Sequence, residues 1–338
     1  MISYYSAHSE ILPMSRHKNR YLIFPLLLES KVNIRSVLAD VFSNLAATVK
    51  LCGPATLAGE LGGVCDQVLL CLQHKHRCQI DDFADDDEDA NEMQEESAEL
   101  DTALTDAASE VIVAIAASLG NDFHDAFATF LPFVLRHCSG SMASERASGV
   151  GTLAEVTLAM KGAITPFTPR LLPIMIKRLS DESVNVKGNA AYATGVLCLH
   201  NSTDEILSEY PTILRKLQPL LSLKEDQVIA NACGCVARMI LRAPQRIPLS
   251  EVLPVLVGKL PLHDYFEENE PIAQMLIAQM QASNEFLLSN TQGMVRILDA
   301  MLGEGREELS DVTCAQIKQA VHTLAQQSPG LQSSIRNA

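Results

Sequence analysis

Four residues within eight positions have side chains able to ligate zinc: Cys71, His74, His76 and Cys78. The types suit the metal, but structural zinc sites draw two ligand pairs from separated segments, and here all four share one short stretch with Lys75 and Arg77. A helix end with incidental Cys and His is therefore expected, with no bound metal and no cofactor. A run from Asp81 to Glu99 holds eleven acids and no base. It lacks the glycine at which a calcium-binding loop turns sharply, so a solvated electrostatic arm is expected, one that attracts a basic partner or regulates access to it. No Gly-rich phosphate loop follows a strand, no GxSxG or HExxH pattern occurs, and Gly149-Val150-Gly151 sits in an apolar helical run where it reads as close helix packing. The chain is not expected to be an enzyme.

The remaining polar candidates lie on helices rich in small residues. Asn189 and Asn231 are 42 positions apart and occupy matching places in similar segments. A side-chain amide offers a donor and an acceptor together, which is what an extended peptide backbone needs. Tyr192 and the pair Glu267 and Glu268 lie one or two units away. Carboxylates can pair with a lysine ammonium while a ring covers its aliphatic stem. The competing reading is local: amides and acids favour helix starts, where they satisfy unpaired backbone N–H groups.

These residues must be positioned by a repeat. Leu131-Pro132-Phe133-Val134-Leu135, Leu172-Pro173-Ile174-Met175-Ile176, Tyr210-Pro211-Thr212-Ile213-Leu214 and Leu253-Pro254-Val255-Leu256-Val257 place four prolines 41, 38 and 43 residues apart. Phe24-Pro25-Leu26-Leu27-Leu28 is an earlier copy. Each proline introduces an apolar helix, then a short acidic turn, then a second helix over Val184 to Leu199, Val228 to Leu241 or Pro271 to Met280. Units of about 40 residues are the length of HEAT or armadillo hairpins, which cannot bury an apolar face alone and must stack. An all-α solenoid of about seven helical hairpins is predicted over residues 21–326, with an irregular segment over 1–20, a disordered acidic loop over 81–99 and a polar tail over 327–338. Ser36 to Val49, Leu57 to Gln73, Leu104 to Leu119, Glu285 to Leu302 and Ser310 to Gln326 read as the remaining helices, and the tail reads as a true C-terminus.

Composition agrees. Apolar residues make up 47% of the chain and aromatics 5%, with no Trp, which suits helix-on-helix packing by Leu, Val, Ile and Ala. A net charge of −15 argues against nucleic acid as a ligand and favours a basic partner, although acidic balance also keeps a chain soluble. Nine scattered cysteines suggest a reducing compartment. No signal peptide is read in Met1 to Ser15 and no apolar stretch near the ~20 residues that span a bilayer, so a soluble intracellular protein is expected.

The segments Val186-Lys187-Gly188-Asn189-Ala190-Ala191-Tyr192-Ala193-Thr194-Gly195, Asn231-Ala232-Cys233-Gly234-Cys235-Val236-Ala237-Arg238-Met239-Ile240 and Leu260-Pro261-Leu262 through Phe266-Glu267-Glu268-Asn269 resemble the C-terminal part of importin-beta (karyopherin-beta) nuclear transport receptors. The resemblance runs from about Leu22 to Gln326. It implies a monomeric carrier that shuttles between cytoplasm and nucleus, takes basic cargo such as core histones and ribosomal proteins through the nuclear pore, and releases it to Ran-GTP. It further implies a pocket for a cargo lysine at Asn231, Glu267 and Glu268, extended by Asn189 and Tyr192. Receptors of this family run to roughly twenty repeats, so contacts with Ran-GTP and pore proteins are expected of a longer chain. The alternative is a HEAT-repeat scaffold subunit of a constitutive complex.

Overall fold

The computed structural model describes residues 35–80, 90–327 and 335–336. The early copy at Phe24 to Leu28, the segment 1–20, residues 81–89 and nearly all of the tail lie outside the described residues. Within them the regular structure is helical: α1 (Arg35–Cys52), α2 (Leu61–Leu72), α3 (Ala90–Leu119), α4 (His124–His137), α5 (Ala143–Met160), α6 (Thr168–Arg178), α7 (Val184–His200), α8 (Tyr210–Leu217), α9 (Asp226–Arg242), α10 (Leu249–Val257), α11 (Asn269–Gln281), α12 (Glu285–Ser289), α13 (Thr291–Met301) and α14 (Asp311–Gln327), linked by short 3-10 turns. The chain divides into two compact units, Met1–Val134 and Leu135–Ala338, with the division inside α4.

In the first unit α1 packs along α3, and α2 packs back on α3 as a hairpin. The disordered loop expected over 81–99 is corrected in its second half, where α3 begins at Ala90 and takes in residues 90–99. Ala, Glu, Gln and Met are good helix formers, and acids in the opening turns complement the positive end of the helix dipole, so an acidic run that continues into an apolar helix extends it. A second correction concerns apolar length. The helical stretch Ala98–His137 contains a window long and apolar enough to cross a membrane by composition, but 56% of that window is buried inside the protein, as the core helix of a repeat requires.

The second unit is built as the proline spacing predicts. Pairs α6/α7, α8/α9, α10/α11 and α12–α13/α14 are successive hairpins, and their second helices lie side by side in the order α5, α7, α9, α11, α14. Pro132, Pro173 and Pro254 lie inside α4, α6 and α10, and Pro211 lies in the first turn of α8. All four rings are on the exposed side. There the carbonyl that loses its N–H partner can turn to water, so the helices tolerate the proline. The buried side is continuous: Leu171, Met175, Val186, Leu197, Ile213 and Ile240 are fully enclosed, each contributing about 1.5–3 kcal/mol by leaving water. The single helix expected over Glu285 to Leu302 is broken at Asn290 into α12 and α13.

The acids of the turns are used differently from the expected capping. Neither Ser183, Glu225 nor Glu268 makes a side-chain cap. Instead acids of the turns and first helical turns clip neighbouring hairpins together. Asp181 accepts a two-pronged contact from Arg146 of α5 at 2.9 and 2.8 Å and a third bond from Arg178 at 2.8 Å. Glu270 accepts from the Ser310 hydroxyl and the Thr313 hydroxyl at 2.9 and 2.6 Å, fixing the start of α14. Burial opposes ionisation of Asp181, but Arg146, the Ser183 amide and Arg178 outweigh it and hold the carboxyl at a pKa of about 2. A folded-state value below the ordinary one stabilises the protein fully above about pH 4 and is lost as pH falls toward 2, an effect on the order of 1–2 kcal/mol after screening at the solvent edge. Asp181→Asn is therefore expected to lower the urea midpoint at pH 7 and to leave it nearly unchanged near pH 2.

Candidate functional site: the second-helix layer

Asn189 and Asn231 are each the sixth residue of their helix, α7 and α9, so they are not entry caps. Asn189 donates through Nδ2 to the Ala147 carbonyl of α5 at 3.0 Å, and Asn231 donates in the same way to the Gly188 carbonyl of α7 at 3.0 Å. Both are half-buried. The two amides form successive rungs of a ladder that ties each second helix to the one before it. Each amide nitrogen carries a second hydrogen and each carbonyl oxygen two lone pairs, so the rungs retain capacity for a peptide laid across them.

Tyr192 lies one turn further along α7. Its ring is covered by the guanidinium of Arg238, 5.2 Å from the centroid, and its hydroxyl feels the charge of Glu155 on α5. Burial and then the Glu155 charge push the phenol up, so it remains a donor. Arg238, on α9, also pairs with Glu268 in the turn before α11, at 2.6 and 3.2 Å. Tyr192, Arg238 and Glu268 thus form one polar chain across three hairpins, with the Glu155 charge acting on its Tyr192 end. Burial pushes the Glu268 carboxyl up while the Arg238 guanidinium opposes that rise.

This geometry separates the two acids that the sequence placed together. Glu267 is exposed and can meet a ligand. Glu268 is 2% exposed and both of its carboxylate oxygens are engaged by Arg238, so it is not open to an incoming lysine. Arg238 and Glu155 are the residues that the sequence reading missed. One signal for Arg238 was available: a lone cation in Val236-Ala237-Arg238-Met239-Ile240 cannot enter an apolar helix face without a counterion.

Small residues let these helices approach. A Cβ added at Gly195 of α7 would lie 2.7 Å from the Cys235 Cα of α9, and one at Gly234 would fall on the Glu268 carboxylate. Gly149 reads as the spacing suggested, since a Cβ there would lie 2.7 Å from the Cys138 amide nitrogen. The cysteine and histidine stretch does not assemble as ligands. Among the described residues no group of three or more His, Cys, Asp or Glu is placed to hold a metal. Cys78 Sγ lies 2.9 Å from His76 Nδ1, burial pushes that thiol up to about 11 against the pull of Arg35, and burial pushes Cys71 higher still. All nine cysteines are free.

No protein-family model matches the chain. Among curated proteins it is 34% identical over 269 residues, 78% of its length, to the probable importin subunit beta-4 of Schizosaccharomyces pombe. It is 32% identical over 277 residues, 80% of its length, to human importin-4. The fold is similar to Kap121p solved with RanGTP, with a TM-score of 0.63 at 15% identity over 93% of this chain and 29% of that one. It is also similar to Kap95p in its complex with Nup1, with a TM-score of 0.53 at 13% identity over 95% of this chain and 39% of that one. Stacked helical hairpins tied by side-chain amides define a HEAT-repeat protein, the fold of these solved karyopherins, whose class consists of transport receptors and not of enzymes. Within it, the chain belongs to the importin-beta family and is importin-4-like. It spans about 25% of the length of the curated relatives it matches.

Proposed function

We propose that the chain is the cargo-binding C-terminal portion of a nuclear import receptor and that its second-helix layer grips an extended basic segment. The observation that carries this reading is the amide ladder at Asn189 and Asn231, whose regular rungs present donors and acceptors one hairpin apart beside the exposed Glu267. The amides take the cargo backbone. Glu267 takes a lysine ammonium, and the Tyr192 ring edge packs on the lysine stem. Glu268 acts through Arg238, holding the ring in place.

The cargo class rests on charge and resemblance together: a chain of net charge −15 attracts basic partners over about a Debye length of 8 Å at physiological salt, and the resemblance to importin-beta receptors implies core histones and ribosomal proteins among them. Release by Ran-GTP, contact with pore proteins and shuttling between cytoplasm and nucleus belong to the full-length receptor, of which this chain is a part. Titration of a lysine-rich histone-tail peptide against the wild type and Glu267→Lys tests the site. Glu267 is exposed, so its reversal changes binding without disturbing the core.

A further inference from the structure

The amide register extends beyond Asn189 and Asn231. Gln274 is the sixth residue of α11 and Gln316 the sixth of α14, as the two asparagines are of α7 and α9, and these four helices pack in that order. The asparagines reach back to the preceding helix. Gln274 reaches forward: its Nε2 donates to Glu270 Oε1 at 2.7 Å and to Thr313 Oγ1 of α14 at 3.3 Å, which leaves the amide oxygen to accept. Gln316 is exposed.

Helix spacing separates the two kinds of rung. Gly188 and Gly195 let α7 and α9 close on each other, whereas α11 and α14 contain no glycine. Their larger side chains leave a groove of about 330 Å³ between them, large enough for a ligand group. Gln274, Ile277 and Gln281 form one wall and Val312, Thr313 and Gln316 the other, and no lining residue is charged. Val312 is 68% exposed, the most exposed large apolar side chain among the described residues of the second unit. Glu270 is already engaged through both oxygens: Oε1 accepts from Gln274 and from the Thr313 hydroxyl at 2.6 Å, and Oε2 accepts from the Ser310 amide at 3.0 Å. A lysine ammonium in the groove would lose water without meeting an open counterion. An apolar side chain would cover Ile277 and Val312 while its backbone pairs with the amides.

We infer that this groove is a subsite for an apolar residue of the same extended cargo segment, a reading that rests on the cargo-binding role proposed above and adds a sequence requirement to it. Two observations select this occupant: the groove continues the amide register, and it is neutral in a chain of net charge −15. Glu267 lies in the turn just before α11, and Gln274 in the second turn of that helix. The rise between them is about 8–10 Å, which an extended chain crosses in about three residues. Cargo should therefore carry its apolar residue about three positions from the lysine held by Glu267.

The test is a titration of the full chain with peptides that share one central lysine and differ only in carrying leucine, serine or lysine three positions away, made for each side. At about 200 mM salt, where exposed charge pairs are weakened, the leucine peptide of one series should bind about tenfold more tightly than its serine and lysine counterparts. Val312→Asp with Gln316→Glu changes two exposed residues and should reverse the order, so that the lysine peptide binds best. If that variant fails to fold, Val312→Ser must remove most of the leucine advantage. Equal binding of the three peptides by the wild type, or an unchanged order in a folded variant, overturns the inference; a groove filled by the chain's own tail would give the first of these results. A wild-type dimer that dissociates in the same variant also overturns it, by placing a second copy in the groove. Glu267→Lys keeps the two readings apart. It should weaken all three peptides alike; no effect would sink the cargo site itself, whereas uniform weakening with no leucine advantage in the wild type would sink only the groove.

Discussion

Arg238→Ala is expected to cost about 3–5 kcal/mol, the largest loss among single substitutions in the second-helix layer. The guanidinium is half of a buried pair, with its own side chain 10% and that of Glu268 3% exposed. Removing it leaves a carboxylate enclosed by the α9–α11 packing with no counterion, and that desolvation term, more than the lost Coulomb energy, sets the size of the effect. Tyr192 loses the cation over its ring in the same step. Urea unfolding followed by circular dichroism reads the change. The pair can be told from its parts by replacing both: Arg238→Met with Glu268→Leu should recover most of the stability, because no charge remains to be solvated. A double variant as unstable as Arg238→Ala would show that the loss comes from packing alone.

The second large effect is at Gly195. Alanine is ordinarily the better helix former by about 1 kcal/mol, so an exposed helical glycine gains from the change. Gly62 in α2 has nothing within 4 Å of an added Cβ, and Gly62→Ala should be stabilising. At Gly195 the added carbon would lie 2.7 Å from the Cys235 backbone, and separating α7 from α9 also stretches the Asn231 to Gly188 rung. Overpacking against backbone therefore wins, and Gly195→Ala should lose about 2–3 kcal/mol. Opposite signs for the two glycine substitutions in the same unfolding assay are the expected outcome. Equal signs would mean that helix spacing is less constrained than the contact implies.

These cases show what a repeat sequence discloses and what it withholds. The proline period and the small-residue second helices are local patterns, so hairpin boundaries such as Val184 to Leu199 came out within a residue of α7. Asn189 and Asn231 were recognisable because equivalent positions recur. The use of Glu268 was hidden. Its partner is 30 positions away in another hairpin, and nothing in Phe266-Glu267-Glu268-Asn269 says which acid turns inward. The same holds for Glu155, which meets Tyr192 only because α5 and α7 pack side by side. The start of α3 was misplaced for the reverse reason: charge density argued for solvation while helix propensity and the adjoining apolar turn decided the outcome.

The reading of the second-helix layer as a grip for basic cargo meets its most direct test in peptide binding. A lysine-rich histone-tail peptide titrated into the wild-type chain should bind with an affinity that falls as salt rises from about 50 to 200 mM, since exposed pairs are screened over that range. Glu267→Lys should weaken it about tenfold at the lower salt, and Glu267→Gln by less. Binding that is unchanged in Glu267→Lys, in a variant with wild-type unfolding behaviour, would contradict the placement of the cargo site.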